Sequence, residues 1–77
     1  MKLVLIEWLD AVSEDKPGWK PRKKIRRQKP ARIRSVGWIE RKTKRFLTIV
    51  SSRDKRDCDG DVTIPRGMIL KMRTLKP

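Results

Sequence analysis

Apolar and polar positions alternate with a period of two along most of the chain, and each alternating stretch ends at a turn signal. KLVLIEWL, near the start, places Val4, Ile6 and Trp8 on one face and Leu3, Leu5 and Leu9 on the other. A short run apolar on both faces predicts a central, buried strand. No N-cap residue precedes it, which counts against a short helix. RIRSVGWIE predicts a second strand, with Val36 and Trp38 on one face and Ile33 and Ile39 on the other, Ser35 and Gly37 between them. Gly37 inside a strand predicts a bulge, a bend or the close approach of another backbone. ERKTKR is a charged hairpin turn. RFLTIVSS is the third strand, with Phe46, Thr48 and Val50 opposite Leu47 and Ile49. RDKRDCDGD is the next loop, and its Asp59-Gly60 pair is a hairpin signal. DVTI is a short fourth strand, cut by Pro65, which donates no backbone hydrogen bond. MILKMRTL closes the chain, with Met68, Leu70 and Met72 on one face and Ile69, Lys71, Arg73 and Leu75 on the other. Five short strands, one bent at a glycine and one cut by a proline, predict a small closed barrel. Trp8 and Trp38 alternate with aliphatic residues and are expected in its interior.

The alternation stops between residues 16 and 31. Pro17-Gly18 signals a turn, and Pro21 and Pro30 bracket a run of charged residues, which disfavours a long helix. The expected structure is a long loop after strand one. In so small a domain such a loop is functional or a linker. Its charge sets it apart. Residues 1–15 hold one Lys against four acids, a net −3, whereas residues 16–34 hold ten cations and no acid. The whole chain carries 22 Lys and Arg against 9 Asp and Glu, a net +13, so one segment produces most of the field.

Three short motifs carry a resemblance. EWLDA (7–11), SVGWI (35–39) and IPRGMI (64–69) resemble a group of short bacteriophage-encoded proteins of unassigned function, over most of the chain apart from residues 16–30. The last motif is a strand, a one-turn Pro-Gly break and a final strand, and is also similar to SH3-like and Sm-like barrels. The resemblance implies an all-β, five-stranded barrel of that type over residues 1–77; the basic loop 16–31 after strand one is where this chain departs from the group. It also implies a phage origin; the single Cys, which cannot form an internal disulfide, fits a reducing compartment, so the host cytoplasm is the expected place. The resemblance supplies no established site. By analogy with Sm-like rings, Arg66, in the turn before the last strand, is a possible secondary anion contact lining an oligomer pore or an anion pocket, and a homo-oligomer is one possible assembly.

Enzymatic chemistry is not expected. A chain with no His cannot form a Ser-His or Cys-His nucleophile pair. The single Cys58 lies between Asp57 and Asp59, whose carboxylates disfavour a thiolate, and one Cys makes neither a zinc site nor an internal disulfide. No phosphate-binding glycine motif is present. DCDGD fails as a calcium loop: with Asp57 first the glycine is misplaced, and with Lys55 first the leading ligand is a cation. No cofactor or metal is expected. No apolar stretch approaches the ~20 residues of a membrane span, and LVLI is too short for a signal sequence.

The basic run is the main functional signal. Lys20, Arg22, Lys23, Lys24, Arg26, Arg27, Lys29, Arg32 and Arg34 can follow a phosphate backbone and release its counterions, giving affinity without sequence readout. Five of these nine are Arg, which can grip a phosphate with two parallel hydrogen bonds. Trp19, one residue before the run, is placed to stack on a base. Nucleic acid or another polyanion is the first expected partner. The alternatives are an acidic host protein bound by a phage inhibitor, a sponge for signalling nucleotides, and a loop that only keeps the protein soluble. A domain of this size buries only about 60% of its unfolded surface, so a partner or a second copy would add stability.

Overall fold

The computed structural model describes residues 2–11 and 18–76. The fold is all-β. Its strands are β1 (Leu3–Asp10), β2 (Ala31–Lys42), β3 (Phe46–Val50), β4 (Ser52–Arg53), β5 (Cys58–Asp59), β6 (Val62–Pro65) and β7 (Ile69–Leu75). Five of them form one antiparallel sheet in the order β6-β3-β2-β1-β7, and β4 and β5 make a separate two-stranded hairpin. A 3-10 turn, Arg66–Met68, joins β6 to β7.

That connection bends the sheet. β6 and β7 are its two edges, four strand spacings or about 19 Å apart if the sheet were flat. The four steps from Pro65 to Ile69 reach at most about 14 Å. The sheet therefore curls, and its concave side holds the core: Val4, Ile6, Leu47, Ile49 and Ile64, with Trp8, Ile39, Val62 and Ile69 packed against them. Val4, Ile6 and Trp8 in β1, and Leu47 and Ile49 in β3, are sets that alternation placed on one face of a strand. Val4 and Ile6 pair across to Gly37 and Ser35, so two small residues of β2 lie opposite branched side chains of β1. A side chain at Gly37 would approach the Val50 carbonyl oxygen to 2.8 Å and Ile49 Cβ to 3.1 Å. Close backbone approach is thus the reason for this glycine. The irregularity in β2 lies elsewhere, between Ile39 and Arg41.

Side chains shape the turns. Thr43 Oγ1 accepts hydrogen bonds from the backbone N–H groups of Arg45 (3.2 Å) and Phe46 (2.9 Å), closing the β2–β3 hairpin. Asp54 Oδ1 does the same for Arg56 (2.8 Å) and Asp57 (2.7 Å), which turns β4 into β5. The Asp57 amide first, then that of Arg56, holds the Asp54 carboxyl below its ordinary value. The hairpin signal at Asp59-Gly60 is therefore displaced: the turn sits at Asp54–Asp57, and Gly60 marks the exit towards β6. Gly60 has φ +68, and a side chain there would collide with Ser51 Oγ.

Four expectations need correction. The loop expected over 16–31 contains a five-residue helix, α1 (Arg22–Arg26), and yields Ala31 to β2; Lys16 and Pro17 lie outside the described residues. Lys24 and Ile25 N–H groups bond back to the Pro21 carbonyl, so the proline starts this short turn, and no long helix forms between Pro21 and Pro30. Trp38 is not core. It is half-buried on the outer side of β2, because the odd-numbered residues Ile33, Ser35, Gly37 and Ile39 take the inner side. In β7 a register shift opposite Glu7 and Trp8 breaks the alternation, so Ile69 joins the core while Leu70 and Met72 remain 48% and 41% exposed.

Candidate nucleic-acid interface

The basic residues form two connected groups. The first is an arm. Trp19 and residues 21–30 are exposed, Lys20 is half-buried, and α1 buries none of its side chains. Trp19 is fully exposed at the head of the arm. Lys20, Arg22, Lys23, Lys24, Arg26, Arg27 and Lys29 all lie here, seven cations in eleven residues. Repulsion among them, with no apolar face to bury, keeps the helix to little more than one turn. The radius of gyration is 15.8 Å, and the long axis measures 50 Å against 23 Å for the other two. A compact chain of this length has a radius near 11.5 Å, so this chain is elongated.

The second group sits on the sheet. Arg32 and Arg34 belong to β2, where even-numbered residues face outward. Cross-strand register sets their neighbours, since directly paired residues share a face. Arg34 pairs with Glu7, and Glu7 with Lys71; Val36 pairs with Leu5, and Leu5 with Arg73; Trp38 pairs with Leu3, and Leu3 with Leu75. Arg34 Nε lies 3.2 Å from Glu7 Oε1, yet the Arg34 side chain keeps 73% of its surface exposed. Leu5, Glu7, Arg34, Lys71 and Arg73 line a shallow depression of about 210 Å³. Lys71 and Arg73 were not among the candidate residues. The signal for them was the alternation of β7, which puts both beside Leu75, but only the β1–β7 pairing shows that they flank the same face as Arg34.

Arg66 is brought to neither group. Its Nε donates to the Thr43 carbonyl oxygen (2.8 Å) and its backbone N–H to the Arg45 carbonyl oxygen (2.8 Å), tying the 3-10 turn to the β2–β3 hairpin. Lys42, Thr43 and Lys44 share an open depression with it. Cys58 is exposed, and no group of three or more His, Cys, Asp or Glu able to hold a metal ion occurs among the described residues. No helix is long and apolar enough to cross a membrane among those residues.

Trp8 and Trp38 have different roles. Trp8 packs on the core and its indole N–H donates to Ser35 Oγ at 3.0 Å. Trp38 covers the outer side of its cross-strand partner Val50, which is 1% exposed, and Arg53 stacks over its ring at 5.2 Å from the centroid. Trp38→Ala should therefore cost roughly 2 kcal/mol, mostly by uncovering Val50, instead of the roughly 3–5 kcal/mol of a Trp enclosed in a core. Urea unfolding of the purified variant measures this. No family model, no curated protein and no solved structure matches the chain.

Proposed function

We propose that this is a non-enzymatic binding protein for a polyanion, with nucleic acid held through its phosphates as the first partner. One observation carries the proposal: seven cations and a fully exposed Trp19 stand together on an arm that buries none of its helical residues. Arg66 and Arg53, outside the arm, make contacts within the fold, to the Thr43 carbonyl oxygen and over the Trp38 ring. An arm of this kind adapts to a phosphate backbone, and its affinity comes from counterion release. The fold we propose beneath it is an SH3-like or Sm-like barrel. The strand order and the one-turn link between the two sheet edges support that type.

The test is a salt titration. With about six phosphate contacts, log affinity falls against log salt with a slope near −5 on duplex and near −4 on a single strand. Trp19 fluorescence is quenched in parallel as bases stack on it. An affinity indifferent to salt removes the proposal. A second reading, a phage inhibitor of a host protein, is favoured by a different feature: Met68, Leu70 and Met72 are 41–48% exposed along or beside the edge strand β7. Apolar side chains beside an unpaired strand edge suit a protein partner.

A further inference from the structure

The outer face of β2, β1 and β7 has a layout that a phosphate-binding surface alone does not require. Arg32 and Arg34 stand on one flanking strand, Lys71 and Arg73 on the other. β1 lies between them, so the two cation rows are about 10 Å apart. Val36 continues the β2 row past Arg34 and pairs with Leu5 of β1, which in turn pairs with Arg73, so Val36 and Leu5 form an apolar step beside the cations, with Val36 52% exposed. Glu7 sits at the middle of the face between Arg34 and Lys71.

We infer that this face holds an unpaired nucleic-acid strand, with phosphates along Arg32, Arg34, Lys71 and Arg73 and bases over Val36 and Leu5. The inference rests on the polyanion-binding proposal above and names its substrate as single-stranded. A duplex presents phosphates outward and keeps its base edges at the bottom of grooves, the major groove about 8.5 Å deep. A sheet face with short aliphatic side chains cannot reach them. An unpaired strand turns its bases out, and neutral bases lose nothing by lying on an apolar step. Glu7 sharpens the selection. Its carboxylate repels a phosphate from the centre of the face and keeps the backbone on the rims, while its contact with Arg34 Nε leaves the four N–H groups of the two Nη atoms for a phosphate. The arm enters β2 at Ala31, one residue before Arg32, so arm and face form one continuous track.

The experiment is fluorescence anisotropy on the full chain at about 50 mM salt, with three labelled probes: dT20, a 20-base-pair duplex, and a 20-unit strand of abasic sugars. The expected order is dT20 tightest, by five- to ten-fold over both others. Lys71→Ala/Arg73→Ala changes exposed residues only, so the sheet stays folded. It weakens dT20 binding roughly sixty-fold at that salt and makes the salt slope shallower by about 1.4. Val36→Ser lowers dT20 binding towards that of the abasic strand and leaves the abasic strand unaffected. Wild type that binds duplex or abasic strand as tightly as dT20, or a double variant with unchanged dT20 affinity, overturns the inference and leaves the arm as the site. Wild type that binds none of the three probes overturns this inference and the polyanion proposal together.

Discussion

A chain lacking residues 20–30 melts within a few degrees of the intact protein and binds polyanions about 10²–10³-fold more weakly at physiological salt. Both halves follow from where the arm leaves the sheet. Asp10 and Ala31 are direct cross-strand partners, and such pairs lie about 4.5–5.5 Å apart. The connection between them runs from residue 11 to residue 30, and the deletion leaves nine residues to close the same gap. Closing a shorter loop costs less entropy, here by about 0.7 kcal/mol. The arm gives up little packing in return, since its Ile25 is 46% exposed and α1 has no buried residue. Net charge falls from +13 to +6 as seven cations are lost, which also relieves self-repulsion.

The binding loss comes from the same segment: each phosphate contact is worth about 0.6 in log affinity on a single strand near 0.15 M salt, so the loss of about four or five contacts gives that factor. Arg32, Arg34, Lys71 and Arg73 survive the deletion, so weak binding persists at low salt. Differential scanning calorimetry and anisotropy on the same preparation separate the two effects. A deletion variant that unfolds shows that the arm packs on the sheet. One that binds as tightly as the intact chain places the whole site on the sheet.

Strands were readable because alternation is a local property. Val4 with Ile6, and Leu47 with Ile49, could be grouped on one face of their strands without knowing any neighbour, and all four are buried. What alternation lacks is an absolute sense of inside. Both faces of β2 carry bulky residues, and Trp38 and Val36 look like better core candidates than Ser35 and Gly37. Only the pairing of Gly37 with Val4 and its fit under Val50 decide the choice, and these are contacts between distant segments. The bulge in β7 escaped for a similar reason, since a register shift belongs to the β1–β7 pair and not to either strand alone. The arm was visible as charge, but not its short helix, whose first turn depends on the Pro21 carbonyl. Arg66 could be placed in its turn, but not tied to Thr43. Of the outer face, Arg32 and Arg34 were identifiable from the run they end, while Lys71 and Arg73 required the sheet order.

Gly37→Ala lowers the unfolding free energy by about 1–3 kcal/mol and the melting temperature by roughly 5–20 °C, whereas Gly67→Ala stays within about 0.5 kcal/mol of wild type. Neither glycine is among those with positive φ, so backbone strain does not separate the two substitutions. Both gain equally from a stiffer unfolded chain. The difference is space. Nothing lies within 4 Å of a methyl group added at Gly67. At Gly37 the methyl group would meet a backbone carbonyl oxygen at 2.8 Å, on a residue that is itself buried, with Ile49 Cβ at 3.1 Å on its other flank. A carbonyl held in a sheet cannot swing aside as a side chain tip does, so β2 and β3 must separate locally. That movement loosens Ile49 in the core and Val50 beneath Trp38 together. For a domain of this size, with a total stability of roughly 4–12 kcal/mol, the loss is a large share of the whole. Gly37→Val, with two further methyl groups at the same place, should leave the protein largely unfolded at 37 °C. Thermal melts of the three variants by circular dichroism decide the matter. Gly37→Ala melting alongside Gly67→Ala would mean that β2 and β3 do not approach as closely as the Val50 carbonyl contact requires, and the curl of the sheet at that point would have to be redrawn.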